Sequence, residues 1–121
     1  MKITVIDHVQ LSMPVGEEQR AREFYEGVLG LKQVPKPAEL AVRGGAWFEN
    51  DSVKVHLGVE ADFRPARKAH PAFVVEDLSS LIALLQDRGY LITPAETLDG
   101  VERVHVADPF GNRIELINAH P

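Results

Sequence analysis

Residues 3–13 alternate in character, with Val5, Val9, Leu11 and Met13 on one face of an extended chain and Ile6, His8, Gln10 and Ser12 on the other. A period of two predicts a strand with one apolar and one mostly polar face. Pro14 and Gly16 punctuate its end. Ala21, Phe24, Tyr25 and Val28 then fall at i, i+3, i+4 and i+7, the stripe of an amphipathic helix. Glu17 and Glu18 sit in its first turn, where the helix dipole favours acids, and Gly30 is placed to stop it. Short strands are predicted at 31–34, 41–48 and 53–59. Gly44-Gly45 marks a bulge or a close approach of backbones, and Asn50-Asp51 a hairpin turn.

The pattern restarts after a linker at 61–68 that carries Arg64, Pro65, Arg67 and Lys68. His70 to Val75 reads as a strand whose two faces are both apolar. Leu78, Leu81, Ile82 and Leu85 give a second helical stripe, with Asp77 to cap it and Gly89 to end it. Further strands are predicted at 90–93, 101–107 and 113–117, with a tight turn at Asp108-Pro109-Phe110-Gly111-Asn112. The halves match: His8 aligns with His70, the stripe from Ala21 with that from Leu78, and Lys54-Val55-His56-Leu57 with Arg113-Ile114-Glu115-Leu116. Repetition of one supersecondary unit is a strong architectural signal. It predicts an α+β protein of two βαβββ modules related by a pseudo-two-fold, its curved mixed sheets carrying helices on the convex face. Module one covers 1–60 and module two 69–121, within one domain.

Composition narrows the function. The 121 residues have a formal net charge of −5, which argues against nucleic-acid and anionic-membrane partners. With no cysteine, disulfides, thiolate metal sites and cysteine nucleophiles are excluded. The start lacks the pattern of a signal peptide and no stretch reaches the length of a membrane span, so a cytoplasmic protein is expected.

The repeat makes His8 and His70 equivalent, and His56 and Glu115 equivalent. Strand periodicity sets His8 opposite Val9 and Leu11, His56 opposite Val55 and Leu57, and Glu115 opposite Ile114 and Leu116. The apolar sets are needed by the helices, which leaves these polar groups to share the other face; His70 is placed there by the repeat alone. Three imidazoles and a carboxylate suit one borderline divalent ion, Zn, Ni, Co, Fe(II) or Mn. Such a set leaves coordination positions open for a substrate chelating through two oxygens, and Glu115 is the candidate proton acceptor. Candidate substrate contacts are Trp47, which shares a strand with Phe48 but faces the other way, Arg67 of the linker, and Arg103 and His105 on a middle strand. His120, in the terminal tail, is expected to be neither ligand nor catalyst.

At Asp7-His8-Val9-Gln10-Leu11, at Phe24-Tyr25 before Leu29-Gly30-Leu31, and above all at the string from Asp108 to Glu115, the chain resembles the vicinal oxygen chelate superfamily. That group includes glyoxalase I, extradiol dioxygenases, epimerases, thiol transferases and bleomycin-resistance proteins. The resemblance implies paired βαβββ modules in a homodimer, with metal ligands from the first and last strands of each module, here His8, His56, His70 and Glu115. His56 stands where glyoxalase I has a glutamate, which speaks against that activity proper. Gln10 stands where the fosfomycin-type transferases have a hydroxyl-bearing residue. Two functions are therefore expected: a metal-dependent lyase, isomerase, epimerase, thiol transferase or dioxygenase acting on a small oxygen-chelating substrate, or a metal-free drug- or small-molecule-binding protein.

Overall fold

The computed structural model describes residues 1–119, and His120 lies outside them. The chain divides into two compact units, Met1–Phe63 and Arg64–Pro121.

The first unit runs β1 (Val9–Met13), α1 (Glu18–Tyr25), β2 (Lys32–Val34), α2 (Ala38–Ala41), β3 (Ala46–Glu49) and β4 (Lys54–Val59). Its sheet has the order β1-β4-β3-β2, with β1 parallel to β4 and the other neighbours antiparallel. The second unit runs β5 (Ala72–Val75), α3 (Leu78–Asp87), β6 (Ile92–Pro94), β7 (Arg103–Ala107) and β8 (Arg113–Asn118). Its sheet repeats the order as β5-β8-β7-β6, with β5 parallel to β8. The repeat in the sequence is thus a repeat of topology: in each unit the last strand lies between the first strand and the third.

Each core forms as the periodicity requires. In the first unit Met13, Ala21, Phe24, Tyr25, Phe48, Val55 and Leu57 are buried. Tyr25 stacks on Phe48 at 5.5 Å and meets Phe24 edge-on. In the second, Leu78 and Leu85 of α3 bury with Val104, Val106, Ile114 and Leu116. Burying groups of this size stabilises each unit by about 1.5–3 kcal/mol per side chain. Asp77 caps α3, its carboxylate accepting from the Ser80 backbone N–H and the Ser80 hydroxyl. Glu17, at the matching place on α1, makes no side-chain cap.

Two expectations need correction. The first strand begins at Val9, not at residue 3, and Ile3, Val5 and Ile6 are exposed. The register explains it: Val9 pairs with Val55, and β4 begins only one residue earlier, so it offers nothing for residues 3–7 to pair with. His8 therefore stands just before its strand, as His70 stands two residues before β5. Second, residues 41–45 are not strand. Ala38–Ala41 form a short helix after Pro37, and Gly44 and Gly45 both take positive φ. A Cβ on Gly45 would come within 2.2 Å of the Leu57 carbonyl oxygen, so only glycine lets the chain return against β4 there.

Candidate metal centre and its surroundings

Helices cover one face of each sheet, and the register aligns polar side chains in rows across the other. In the first unit Trp47 pairs with His56, which pairs with Gln10. In the second, Thr93 pairs with His105, His105 with Glu115, and Glu115 with Ala72. Trp47 and His105 are therefore equivalent positions, as are His56 and Glu115.

The first row is aromatic. His56 is sandwiched between His8 (ring centroids 4.1 Å apart) and Trp47 (4.0 Å, ring planes nearly parallel). Burial, then the neighbouring His8, pushes the His56 pKa below its ordinary value, so the ring is held neutral. Asp7 accepts a hydrogen bond from Nδ1 of His8 at 2.8 Å, which keeps the Asp7 carboxyl low and leaves Nε2 of His8 for another partner.

The second row is charged and tightly held. Glu115 is 6 % exposed. Its Oε2 accepts from Nη1 of Arg103 at 2.6 Å, and the same guanidinium donates from Nε to the Glu96 carbonyl at 2.8 Å. Its Oε1 lies 2.9 Å from Nε2 of His70 and 3.7 Å from Nε2 of His105. The His70 bond holds the carboxyl below the usual range, helped by Arg103, against the opposing effect of burial. His105 is pushed below its ordinary pKa by burial and then by Arg113.

A tautomer argument identifies what the pair can hold. Nδ1 of His70 lies 2.7 Å from the Lys68 carbonyl, which can only accept, so Nδ1 carries a proton. In the neutral ring the lone pair of Nε2 then faces the Glu115 carboxylate oxygen. Two acceptors at this distance need a cation between them, a second proton or a metal ion. His70, His105 and Glu115 offer donor atoms all within 4.8 Å of one another. A neutral imidazole beside an ionised carboxylate is the form in which such residues bind a divalent ion, and the shifts of His105 and Glu115 favour that form, so the donor chemistry fits.

Each half of the expected ligand set is assembled inside its own unit: His8 with His56 in the first, His70 with Glu115 in the second. Trp47 lies on the open face against His56, while Phe48 is core. Arg103 is committed to Glu115 and Glu96. Arg67 lines a cavity with His105. Sequence reasoning did not find the Arg103–Glu115 ion pair or the part played by Arg113 in that cavity. The signal was present, because counting outward equally from the 108–112 turn sets His105 opposite Glu115. A larger groove of about 1,000 Å³, along the rim between residues 30–35 and the 49–51 turn, contains none of the expected site residues. Its Arg22 and Glu26 pair with each other at 2.9 Å, as on a solvated surface.

The sequence profile of the Glyoxalase/Bleomycin resistance protein/Dioxygenase superfamily matches residues 5–116, and the chain belongs to that superfamily. A glyoxalase family protein from Bacillus anthracis is 43 % identical, superposes with a TM-score of 0.91, and is covered over 97 % of its length by 98 % of this chain. A glyoxalase family protein from Enterococcus faecalis shares the fold at 24 % identity and TM-score 0.75, with 97 % of this chain and 99 % of that one covered. So does TnmS3, an antibiotic binding protein from Streptomyces sp. CB03234, at 20 % identity and TM-score 0.68, with 97 % and 98 % covered. No functionally curated protein matches the chain.

Proposed function

We propose that this chain is a metal-dependent vicinal oxygen chelate enzyme acting on a small substrate with two adjacent oxygens. The observation that carries the reading is the convergence of His70, His105 and the arginine-held Glu115, whose donor atoms all lie within 4.8 Å of one another. His70 and Glu115 would hold a borderline divalent ion, Zn, Ni, Co, Fe(II) or Mn, with His105 as the third donor within reach. His8 and His56, their counterparts by the repeat and by family resemblance, are proposed as the first unit's donors. When bound, such an ion supplies Lewis acidity, polarising a chelated oxygen and stabilising negative charge that develops on it.

The protein's own groups then have distinct tasks. Arg103 fixes the carboxylate through Oε2, so its role is to position Glu115. That grip weakens Glu115 as a base, and Glu115 accepts a proton only once Oε1 is released from His70. If His70 and Glu115 hold the ion without it, His105, adjacent to both and held by burial below its ordinary pKa, is instead free to act as a base or to orient substrate by a hydrogen bond. A homodimer is part of the proposal by family resemblance. No helix among the described residues is long and apolar enough to cross a membrane.

The test is elemental mass spectrometry of untagged protein, wild type and His8→Ala, His56→Ala, His70→Ala, His105→Ala and Glu115→Ala. About one transition metal per chain, lost on removing Glu115 or His70, is expected. Absence of metal after reconstitution would sink the reading. A second reading, metal-free binding of a flat organic molecule, is favoured by the His8–His56–Trp47 stack, since aromatic faces bind planar ligands. Tight ligand binding by metal-free protein, weakened in Trp47→Ala, would support it.

A further inference from the structure

Taking the metal-centred function above as given, we propose that the cavity beside the His70–Glu115 pair is an anion subsite, and that the substrate carries a carboxylate or phosphoryl group besides its chelating oxygens. The cavity, about 200 Å³, is lined by Arg67, Thr93, His105 and Arg113, with Leu91 and Ala107 as apolar wall. It is smaller than the roughly 300–1,000 Å³ pockets that enclose drug-sized ligands, so it suits one small group, not a whole large molecule.

Three observations select an anion. First, Arg67 and Arg113 have no ion-pair partner among the described residues, in contrast with Arg103, which is engaged by Glu115 and Glu96. Two uncompensated guanidinium groups at one small cavity, in a chain of net charge −5, form a local field opposite to that of the whole molecule. A guanidinium's planar fork of donors matches carboxylate and phosphoryl oxygens.

Second, the arginines are held by structure on both sides. Arg113 opens β8, and its backbone N–H donates to the Ala66 carbonyl at 2.8 Å, while the Ala66 N–H donates to Oδ1 of the fully buried Asn112 at 2.9 Å. These bonds fasten the segment carrying Arg67 against the segment carrying Arg113. Asn112 is fixed in turn by Asp108, which accepts from its backbone N–H and from Nδ2. Gly111 completes the seam: its φ is +92°, and a Cβ there would press to 3.3 Å on Pro65. The most distinctive string in the sequence, Asp108 to Arg113, thereby acquires a role in setting the two arginines at one cavity.

Third, the cavity adjoins the metal centre. His105 belongs to both: its strand neighbours are Thr93, in the cavity wall, and Glu115. A group bound between Arg67 and Arg113 lies next to the residues that would hold the metal ion.

The test uses chelator-stripped, desalted full-length protein at low ionic strength, titrated by calorimetry with inorganic phosphate and, separately, with acetate. One saturable site is expected, weakened about ten-fold or more in Arg113→Gln and in Arg67→Gln, with Arg113→Lys retaining part of the affinity. Tighter binding of phosphate assigns a phosphoryl group, and tighter binding of acetate a carboxylate. Failure of both anions to bind saturably, with metal uptake intact, overturns the anion subsite and leaves the metal reading standing. Saturable anion binding without metal uptake at any reconstitution does the reverse. Unchanged affinity in both glutamine variants, confirmed folded by circular dichroism, also overturns it.

Discussion

The two units use one ladder for opposite chemistry. At equivalent places in the sheet, the first unit puts Trp47, His56 and Gln10, and the second His105, Glu115 and Ala72. The first row is neutral and held by ring stacking. The second is charged and held by Arg103 and His70. The scaffold therefore fixes where side chains stand, and residue identity alone decides whether a row is a stack of neutral rings or a cluster of charged groups.

The largest effect that would sharpen this contrast is expected at Glu115. Glu115→Ala leaves Arg103 half-buried without its carboxylate, a cost of about 2–3 kcal/mol after allowing for the partial exposure of the guanidinium. It should also weaken metal binding about a hundred-fold or more. His56→Ala, at the equivalent position, removes a buried ring and its stacking but strands no charge, and should cost less, about 1–2 kcal/mol. Urea denaturation of the metal-free variants compares them, and equal losses would break the contrast. Next is the turn before the last strand. Asn112→Ala removes the buried acceptor of Ala66 and should cost about 2 kcal/mol, whereas Asn50→Ala, in the exposed turn of the first unit, should cost under about 1 kcal/mol.

The contrast should shrink when pH is varied. His56 and His105 both have folded-state pKa values below their ordinary value of 6.5. Below about that pH the unfolded chain takes up these protons more readily than the folded one. Stability of the metal-free protein should therefore be fully present above pH 6.5 and fall as the pH drops through that value. Both His56→Gln and His105→Gln should flatten the decline. A slope abolished by one substitution alone would place the burden in one unit. The smallest effect is at the helix starts. Asp77→Ala should lower the melting temperature slightly, and Glu17→Ala should not. Because the Ser80 and Ser79 bonds hold the Asp77 carboxyl below its ordinary range, its contribution is present at neutral pH and is lost as the pH falls through its folded value.

The architecture was legible because two apolar stripes and two His-containing strands recur in the same order, and a core of Phe24, Tyr25, Phe48 and Leu57 needs nothing beyond periodicity to be placed. The same repeat gave the equivalence of His56 with Glu115, which stand at matching places in the two sheets. What escaped depended on cross-strand register and on backbone sterics. The hold of Arg103 on Glu115 and the place of Arg113 beside Arg67 come from how β7, β8 and the 64–69 segment align, which no single stretch of sequence announces. The 38–41 helix escaped because the predicted strand extends from Gly44-Gly45 back to residue 41; of the two readings of that glycine pair, a bulge or a close approach of backbones, the structure shows the close approach, of Gly45 to Leu57.

The parallel pairing of first and last strands has a kinetic consequence. The hairpins β3–β4 and β7–β8 close short loops, whereas β1 must find β4, and β5 must find β8, across most of a unit. Long-range closure carries the greater entropic cost and is met late. Truncating Val9 or Phe73 should speed unfolding and leave the refolding rate almost unchanged in stopped-flow experiments, while truncating Val55 or Leu116 should slow refolding. His8 and His70 immediately precede the strands that arrive last. Those two imidazoles are therefore delivered after the hairpins that carry His56, His105 and Glu115 exist, so the proposed donor set becomes complete only with the last strand pairing.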